Sequence, residues 1–96
     1  MTMTSEARVP ADRPHDYIVR LCKHFAHKTP ATYDDTTGRI AFEMGVCRLV
    51  AEPDLLVLTV EGADAEAIER LEGVVARHLE RFAWKEAPVI DWVRSA

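Results

Sequence analysis

The segment LCKHFAHK at residues 21–28 combines a thiol, two imidazoles and two amines, groups that can bind metals, act as nucleophiles or hold anions. Helical periodicity places it near the end of a predicted helix over residues 13–28. His24 and His27 are three residues apart and share one face of that helix, a spacing that can hold a divalent metal ion. Cys22 points toward the core, about 160° away from His24, and cannot share a metal with it.

Two histidines fall short of a complete metal site. Zinc takes three protein ligands in catalytic sites and four in structural sites. The remaining histidines are His15, far around the same helix, and His78, on a second predicted helix. Metal binding through His24 and His27 is therefore kept as an alternative, and no cofactor is assigned.

The polar side of the first helix is basic, although the chain has a net charge of −4. Residues 13–28 hold four arginines and lysines against one acidic residue, Asp16. The helix dipole favours cations near the helix C-terminus, which explains part of this pattern without a ligand. The same field would attract an anionic small molecule or an acidic protein partner. We predict ligand binding by Tyr17, Arg20, Lys23, His24, His27 and Lys28.

Charge and composition exclude several functional classes. A pI near 5.5 argues against binding to nucleic acid or to an anionic membrane, since both need a basic field. The longest apolar run, residues 55–60, is too short to cross a bilayer, and the N-terminal segment has no signal-peptide core, so a cytoplasmic protein is predicted. Both cysteines stand alone, which favours reduced thiols. Because the chain has neither a Gly-rich phosphate loop nor a paired-carboxylate motif, an enzyme is the least favoured class.

Two amphipathic helices are predicted. The first covers residues 13–28, with Asp12 as its N-cap and Pro30 ending it. The second covers residues 64–83, with Asp64 as its N-cap and a charged outer face. The apolar stripes are Ile18, Leu21, Cys22 and Phe25 in the first helix and Ile68, Leu71, Val75, Leu79 and Phe82 in the second.

Four runs rich in β-branched and aromatic residues predict an antiparallel meander. The runs are residues 31–34, 39–43, 46–52 and 55–61. Turns at Pro53–Asp54 and Met44–Gly45 and a loop at residues 35–38 each put the apolar side chains of adjoining strands on one face. The predicted pairs are Ala51–Leu56, Leu49–Leu58 and Cys47–Val60 across the first turn, Phe42–Cys47 and Ile40–Leu49 across the second, and Tyr33–Ile40 and Asp34–Arg39 across the loop.

These elements predict an α+β fold, a two-layer sandwich in which two helices cover one face of an antiparallel sheet of four or five strands. A short strand at residues 7–9 would give the order β-α-β-β-β-β-α, which resembles the TATA-binding-protein-like fold. Residues 1–5 are predicted to be disordered, and residues 6–96 to form a single domain.

The outward face of the predicted sheet carries an apolar patch that needs a cover. It consists of Val46, Val50, Leu55 and Val57. We expect the C-terminal segment, residues 88–94, to cover part of it. A second copy of the chain is the other candidate, because contiguous apolar patches often mark interfaces.

Four stretches, YIVRLCKHFAHK, GRIAFEMGVCRL, HLERFAWKE and IDW, resemble a small bacterial family known as domain of unknown function 2218. The resemblance runs from about Ala7 to Trp92. It implies no particular reaction and transfers no catalytic residues. Relatives fused to, or encoded near, siderophore-interacting flavin reductases imply a link to iron or siderophore metabolism, where the basic side of the helix would suit an anionic ferric siderophore. The most distinctive matching positions are Cys22, His24, Phe25, His27 and Lys28.

The leading interpretation is a small bacterial binding or accessory module that meets an anionic ligand or partner on the first helix. A divalent-metal-binding protein and a structural dimerisation domain are the alternatives.

Overall fold

The computed structural model describes residues 2–95 and contains two helices and a six-stranded antiparallel sheet. The elements are β1 (Met3–Pro10), α1 (Pro14–Phe25), β2 (Ala31–Tyr33), β3 (Thr37–Phe42), β4 (Gly45–Glu52), β5 (Leu55–Gly62), α2 (Ala65–Phe82) and β6 (Val93–Ser95). The strands lie in the order β2-β3-β4-β5-β1-β6, and the buried stripes of both helices join one face of the sheet in a single core. The predicted α+β class and element order are confirmed, with β6 as an additional strand.

The first strand, β1, is longer and more central than the sequence indicates. It pairs with β5 along its whole length, and β6 pairs with its other edge. Residues 3–5 therefore belong to the sheet, and the prediction that they are disordered is wrong. Met1 lies outside the residues that the structure describes. The inward side chains Ser5 and Ala7 are small, so the strand has a weak apolar pattern. Its stability comes from pairing on both edges.

The first helix, α1, is shorter than predicted. Its N-cap residue is Arg13, without a side-chain capping bond, so the predicted cap at Asp12 is wrong. The backbone N–H of Asp12 instead donates to a carboxylate oxygen of Glu86 at 2.9 Å. The helix ends at Phe25, which leaves residues 26–28 in the turn that follows.

The second helix, α2, begins and ends within one residue of its predicted bounds. The carboxylate of Asp64 caps it by accepting a hydrogen bond from the backbone N–H of Ala67 at 2.9 Å. Four of the five predicted stripe residues are buried, and the fifth, Phe82, is half-buried and faces α1. Neither helix is long and apolar enough to cross a membrane within residues 2–95.

Strand register is confirmed between β4 and β5 and shifted by two residues at the two earlier turns. All three predicted pairs across the β4–β5 turn are present. Between β3 and β4, Gly45 lies in the strand opposite Phe42 instead of in the turn. Between β2 and β3, Tyr33 lies opposite Gly38 instead of Ile40. A shift of two residues keeps every side chain on its predicted face. Tyr33, however, is 43% exposed on the edge strand β2, so its predicted place in the core is wrong.

The second of these shifts also corrects the predicted cross-strand pair of Asp34 and Arg39. Arg39 lies opposite Thr32. The Asp34 carboxylate accepts hydrogen bonds from the backbone N–H groups of Thr36 and Thr37, at 3.0 and 2.8 Å. An aspartate at the first position of a turn commonly bonds in this way, and this local bond fixes the β2–β3 connection.

One residue of the apolar patch on the outer face of the sheet, Val57, is covered by side chains of that same face, whereas Val46, Val50 and Leu55 are half-buried. Arg8 on β1 and Glu52 on β4 form an ion pair at 3.3 Å, and β5 runs between these two strands. Beneath this bridge Val57 is only 6% exposed. The aliphatic parts of such side chains shield apolar surface while their charged ends remain in water.

The C-terminal segment takes a different position from the one predicted. Its last residues pair with the edge of β1 as β6, and Ile90 and Trp92 pack against the core. The expectation that residues 88–94 cover the outer face is therefore wrong, because pairing with the free edge of β1 satisfies backbone groups that the outer face cannot. A homodimer through the outer face stays a prediction.

Candidate anion-binding surface

The polar side of α1 faces the C-terminal end of α2, and His24 lies where the two helices meet. Its ring centroid is 4.8 Å from that of His78, 5.1 Å from Phe25 and 5.7 Å from Phe82. His78 is half-buried, and its Nδ1 donates to the carbonyl oxygen of Val74 at 2.7 Å. His24 is thus in contact with a histidine from α2, His78, that the helical spacing of His24 and His27 did not indicate.

The surroundings of His24 disfavour a positive charge on its ring. Burial lowers the pKa of His24, and the neighbouring His78 and the cations Arg81 and Lys28 lower it further. The imidazole is therefore neutral at neutral pH. As the pH falls, protonation of His24 would increase the positive charge at the junction of the two helices.

The NMR titration of His24 should have its midpoint below the ordinary value of 6.5. Because the folded state binds this proton more weakly than the unfolded state, stability should decrease as the pH falls below about 6.5. His78→Gln removes one neighbour that lowers this pKa and should raise the midpoint. Arg39→Gln, on the outer face of the sheet, should leave it unchanged. A wild-type midpoint at or above 6.5 would contradict the contact between α1 and α2.

The surroundings of His24 also bear on the metal alternative. Within residues 2–95, no group of three or more histidine, cysteine, aspartate or glutamate side chains is placed to hold a metal ion. His27 lies in the turn that follows α1, close enough to His24 to lower its pKa. The cations Arg81 and Lys28 near His24 would repel a divalent ion. Metal binding through His24 and His27 stays a prediction without a third ligand among the described residues.

The cations without a carboxylate partner are concentrated on this side of the molecule. In the described chain, five arginines form ion pairs within 4.0 Å: Arg8, Arg13, Arg48, Arg70 and Arg94. Two of the other basic residues, Arg39 and Arg77, lie on the outer sheet face and midway along α2. The remaining five form what we call the basic surface: Arg20, Lys23 and Lys28 from α1 and the turn after it, and Arg81 and Lys85 from the end of α2 and the segment after it.

A cleft of about 560 Å³ adjoins the basic surface, between the first turns of α1 and the segment after α2. Arg20 and Lys85 line it together with three aromatic side chains and several carboxylates. The indole of Trp84 is 70% exposed, and the ammonium of Lys85 lies 5.5 Å from the centre of its ring. The aromatic lining residues are Tyr17, Phe82 and Trp84.

One carboxylate, that of Glu86, fixes the shape of this cleft. One of its oxygens accepts from the backbone N–H of Asp12 and the other from the hydroxyl of Tyr17. These bonds hold the pKa of Glu86 below its usual range. Burial and the bond to Glu86 raise the pKa of Tyr17 to about 12. Hydrogen bonds of Glu86 therefore hold the segment after α2 against the start of α1. Near neutral pH Glu86 stays ionised and Tyr17 stays protonated, so these bonds persist.

The predicted ligand residues divide into three positions. Tyr17 and Arg20 lie in the cleft, and His24 lies at the helix junction. The other three, Lys23, His27 and Lys28, are exposed on α1 or in its following turn. Sequence reasoning missed His78, Trp84, Lys85 and Glu86. The stretch FAWKE was visible as a tryptophan among charged residues beyond a helix end, but no local pattern indicated that it meets α1.

The fold and this surface define a small α+β domain with a basic surface and an adjoining aromatic cleft. The family model described as an uncharacterized protein conserved in bacteria (DUF2218) matches residues 6–93, and the chain belongs to this family, as the resemblance indicated. Among solved structures, the chain is similar to the NMR structure of PA4090 from Pseudomonas aeruginosa. That match has 33% sequence identity and a TM-score of 0.76, and it covers 96% of this chain and 94% of the other. No match was found among curated proteins.

Proposed function

We propose that this domain is a binding module that takes an anionic ligand, or an acidic segment of a partner, on the basic surface. The observation that carries the proposal is the distribution of charge. On a chain with a net charge of −4, five of the seven cations without carboxylate partners belong to the basic surface, whereas arginines elsewhere are mostly paired. Solvated lysines and arginines without a ligand are more stable when interspersed with acids, since like charges repel.

The link to iron or siderophore metabolism belongs to this proposal as one specific version of it. An anionic ferric siderophore would meet Arg20 and the neighbouring cations through its charge. The proposal itself needs only a negatively charged ligand, and it assigns no chemical step to any residue.

Binding of this kind should depend strongly on salt. Exposed ion pairs are weak one at a time and are screened over about 8 Å at physiological ionic strength. Several cations acting on one multivalent anion add their contributions. Citrate, which carries several carboxylates, is therefore a suitable first probe at low ionic strength.

Titration of the ¹⁵N-labelled protein with citrate should shift amide signals in residues 17–28 and 81–86. Arg20→Gln should raise the dissociation constant about two- to fivefold, because one exposed charge contact is lost. Arg39→Gln removes the same charge from the outer face of the sheet and serves as the matched control, with an unchanged constant. Shifts that avoid both segments, or an equal effect of the two variants, would refute the proposal.

A further inference from the structure

We propose that the ligand of the cleft is a small planar aromatic anion, held by a ring against Trp84 and by a carboxylate or similar group near Arg20 and Lys85. This inference rests on the proposed function and specifies its ligand class. The observation behind it is that aromatic side chains and unpaired cations line the same cleft.

Trp84 is the most exposed of the aromatic residues that line the cleft. Three of the seven aromatic residues of the chain line this one cleft, and the indole of Trp84 leaves 70% of its surface in contact with solvent. A large exposed aromatic side chain beside charged residues is a common feature of binding sites. A flat ring can stack on an indole in offset geometry, which a saturated ring cannot do.

The arrangement of charges in the cleft leaves two cations available to an anionic group. Asp16 is paired with Arg13 at 3.5 Å. Both oxygens of Glu86 accept hydrogen bonds from neutral groups of the protein, which occupy the oxygens and leave the negative charge in place. The lining as a whole therefore holds three carboxylates and three cations. Of these cations, Arg20 and Lys85 have no carboxylate within 4.0 Å and are the groups left to contact an anion. The cations of the basic surface beyond the rim add to the same field.

The size and stability of the cleft suit a small ligand. Its volume of about 560 Å³ falls within the range of roughly 300–1,000 Å³ that is usual for small-molecule sites. Its position is fixed because Ala83 is buried in the core and Glu86 is bonded to α1. The ammonium of Lys85, already over the Trp84 ring, lies where it can contact the anionic group of a stacked ligand.

Three probes of similar size separate the contributions of ring and charge. They are 2-naphthoate, the saturated decalin-2-carboxylate, and the neutral 2-naphthalenemethanol. Binding is followed in the full chain by amide shifts and by the indole N–H signal of Trp84, assigned with a Trp92→Phe variant. We expect 2-naphthoate to bind at least about tenfold more tightly than either of the others.

Variants then test the named residues. Trp84→Leu should weaken 2-naphthoate at least about tenfold and leave decalin-2-carboxylate unchanged; Trp84 is so exposed that the substitution should not affect folding. Arg20→Gln should weaken both carboxylates, and Arg39→Gln neither. Equal binding of the two carboxylates at residues 17–28 and 81–86 would overturn the aromatic class while supporting the proposed function. No shift there with either carboxylate or with citrate would overturn both.

Discussion

Gly45→Ala should lower the free energy of unfolding by about 3 kcal/mol or more. Gly45 has φ +157°, a conformation that residues with a side chain rarely adopt. A Cβ atom there would lie 2.1 Å from the backbone oxygen of Glu61 and 2.8 Å from a methyl group of Leu71. The first contact involves β5 itself, and Leu71 is fully buried, so neither neighbour can move without disturbing the sheet or the core.

Urea unfolding followed by circular dichroism would measure this loss. Gly73→Ala is the matched control, because Gly73 lies in the interior of α2 and the nearest atom to its added Cβ is the flexible end of Arg77, at 3.1 Å. Alanine is the better helix former, so this control should gain about 0.5–1 kcal/mol. Unchanged stability of Gly45→Ala would mean that β4 and β5 do not approach each other as described.

Glu72→Ala should cost about 2–3 kcal/mol of unfolding free energy. The side chain of Glu72, on α2, bonds to side chains of both β1 and β6. Its carboxylate accepts from the hydroxyl of Ser5 at 2.6 Å and from the guanidinium of Arg94 at 2.8 and 3.0 Å. Ser5 is 1% exposed, so removal of the carboxylate leaves a buried hydroxyl without a partner. The same substitution should release β6 from the edge of the sheet.

The contribution of Glu72 to the free energy of unfolding should depend on pH. The bonds from Arg94 and Ser5 hold the pKa of Glu72 below its ordinary value of 4.5. The ionised carboxylate therefore stabilises the folded state above pH 4.5, and this contribution is lost as the pH falls below that value. The difference in free energy of unfolding between the wild type and Glu72→Ala should therefore become smaller as the pH falls below 4.5.

The control for Glu72 is Glu80→Ala, an exposed glutamate two turns later on the same helix, which should change stability by less than about 0.5 kcal/mol. The double substitution of Ser5 and Glu72 by alanine should lower the free energy of unfolding by less than the sum of the two single substitutions. The reason is that the double variant has no buried hydroxyl left without a partner. Strictly additive effects, or equal losses for Glu72→Ala and Glu80→Ala, would show that the bonds to Glu72 do not hold the C-terminal strand.

The two earlier turns illustrate a limit of reasoning from local pattern. The sequence places Gly45 in a turn, because glycine is a common turn residue. The structure places it in β4, where the approach of Glu61 leaves no room for a side chain. That requirement comes from β5, so turn preference within the hairpin could not have revealed it. The family resemblance, in contrast, was carried by side-chain identity along the chain and is confirmed.

The two helices, the inward face of each predicted strand and the basic segment of α1 could all be predicted from local patterns in the sequence. These features repeat with the period of a helix or a strand, so each follows from residues close together in the chain. Three features exist only in the folded chain: the contact of His24 with His78, the hydrogen bond from Tyr17 to Glu86, and the cleft that Trp84 and Arg20 share. Those contacts join α1 to residues more than fifty positions away, and the packing of both helices on one sheet face sets them; no short-range pattern encodes that packing.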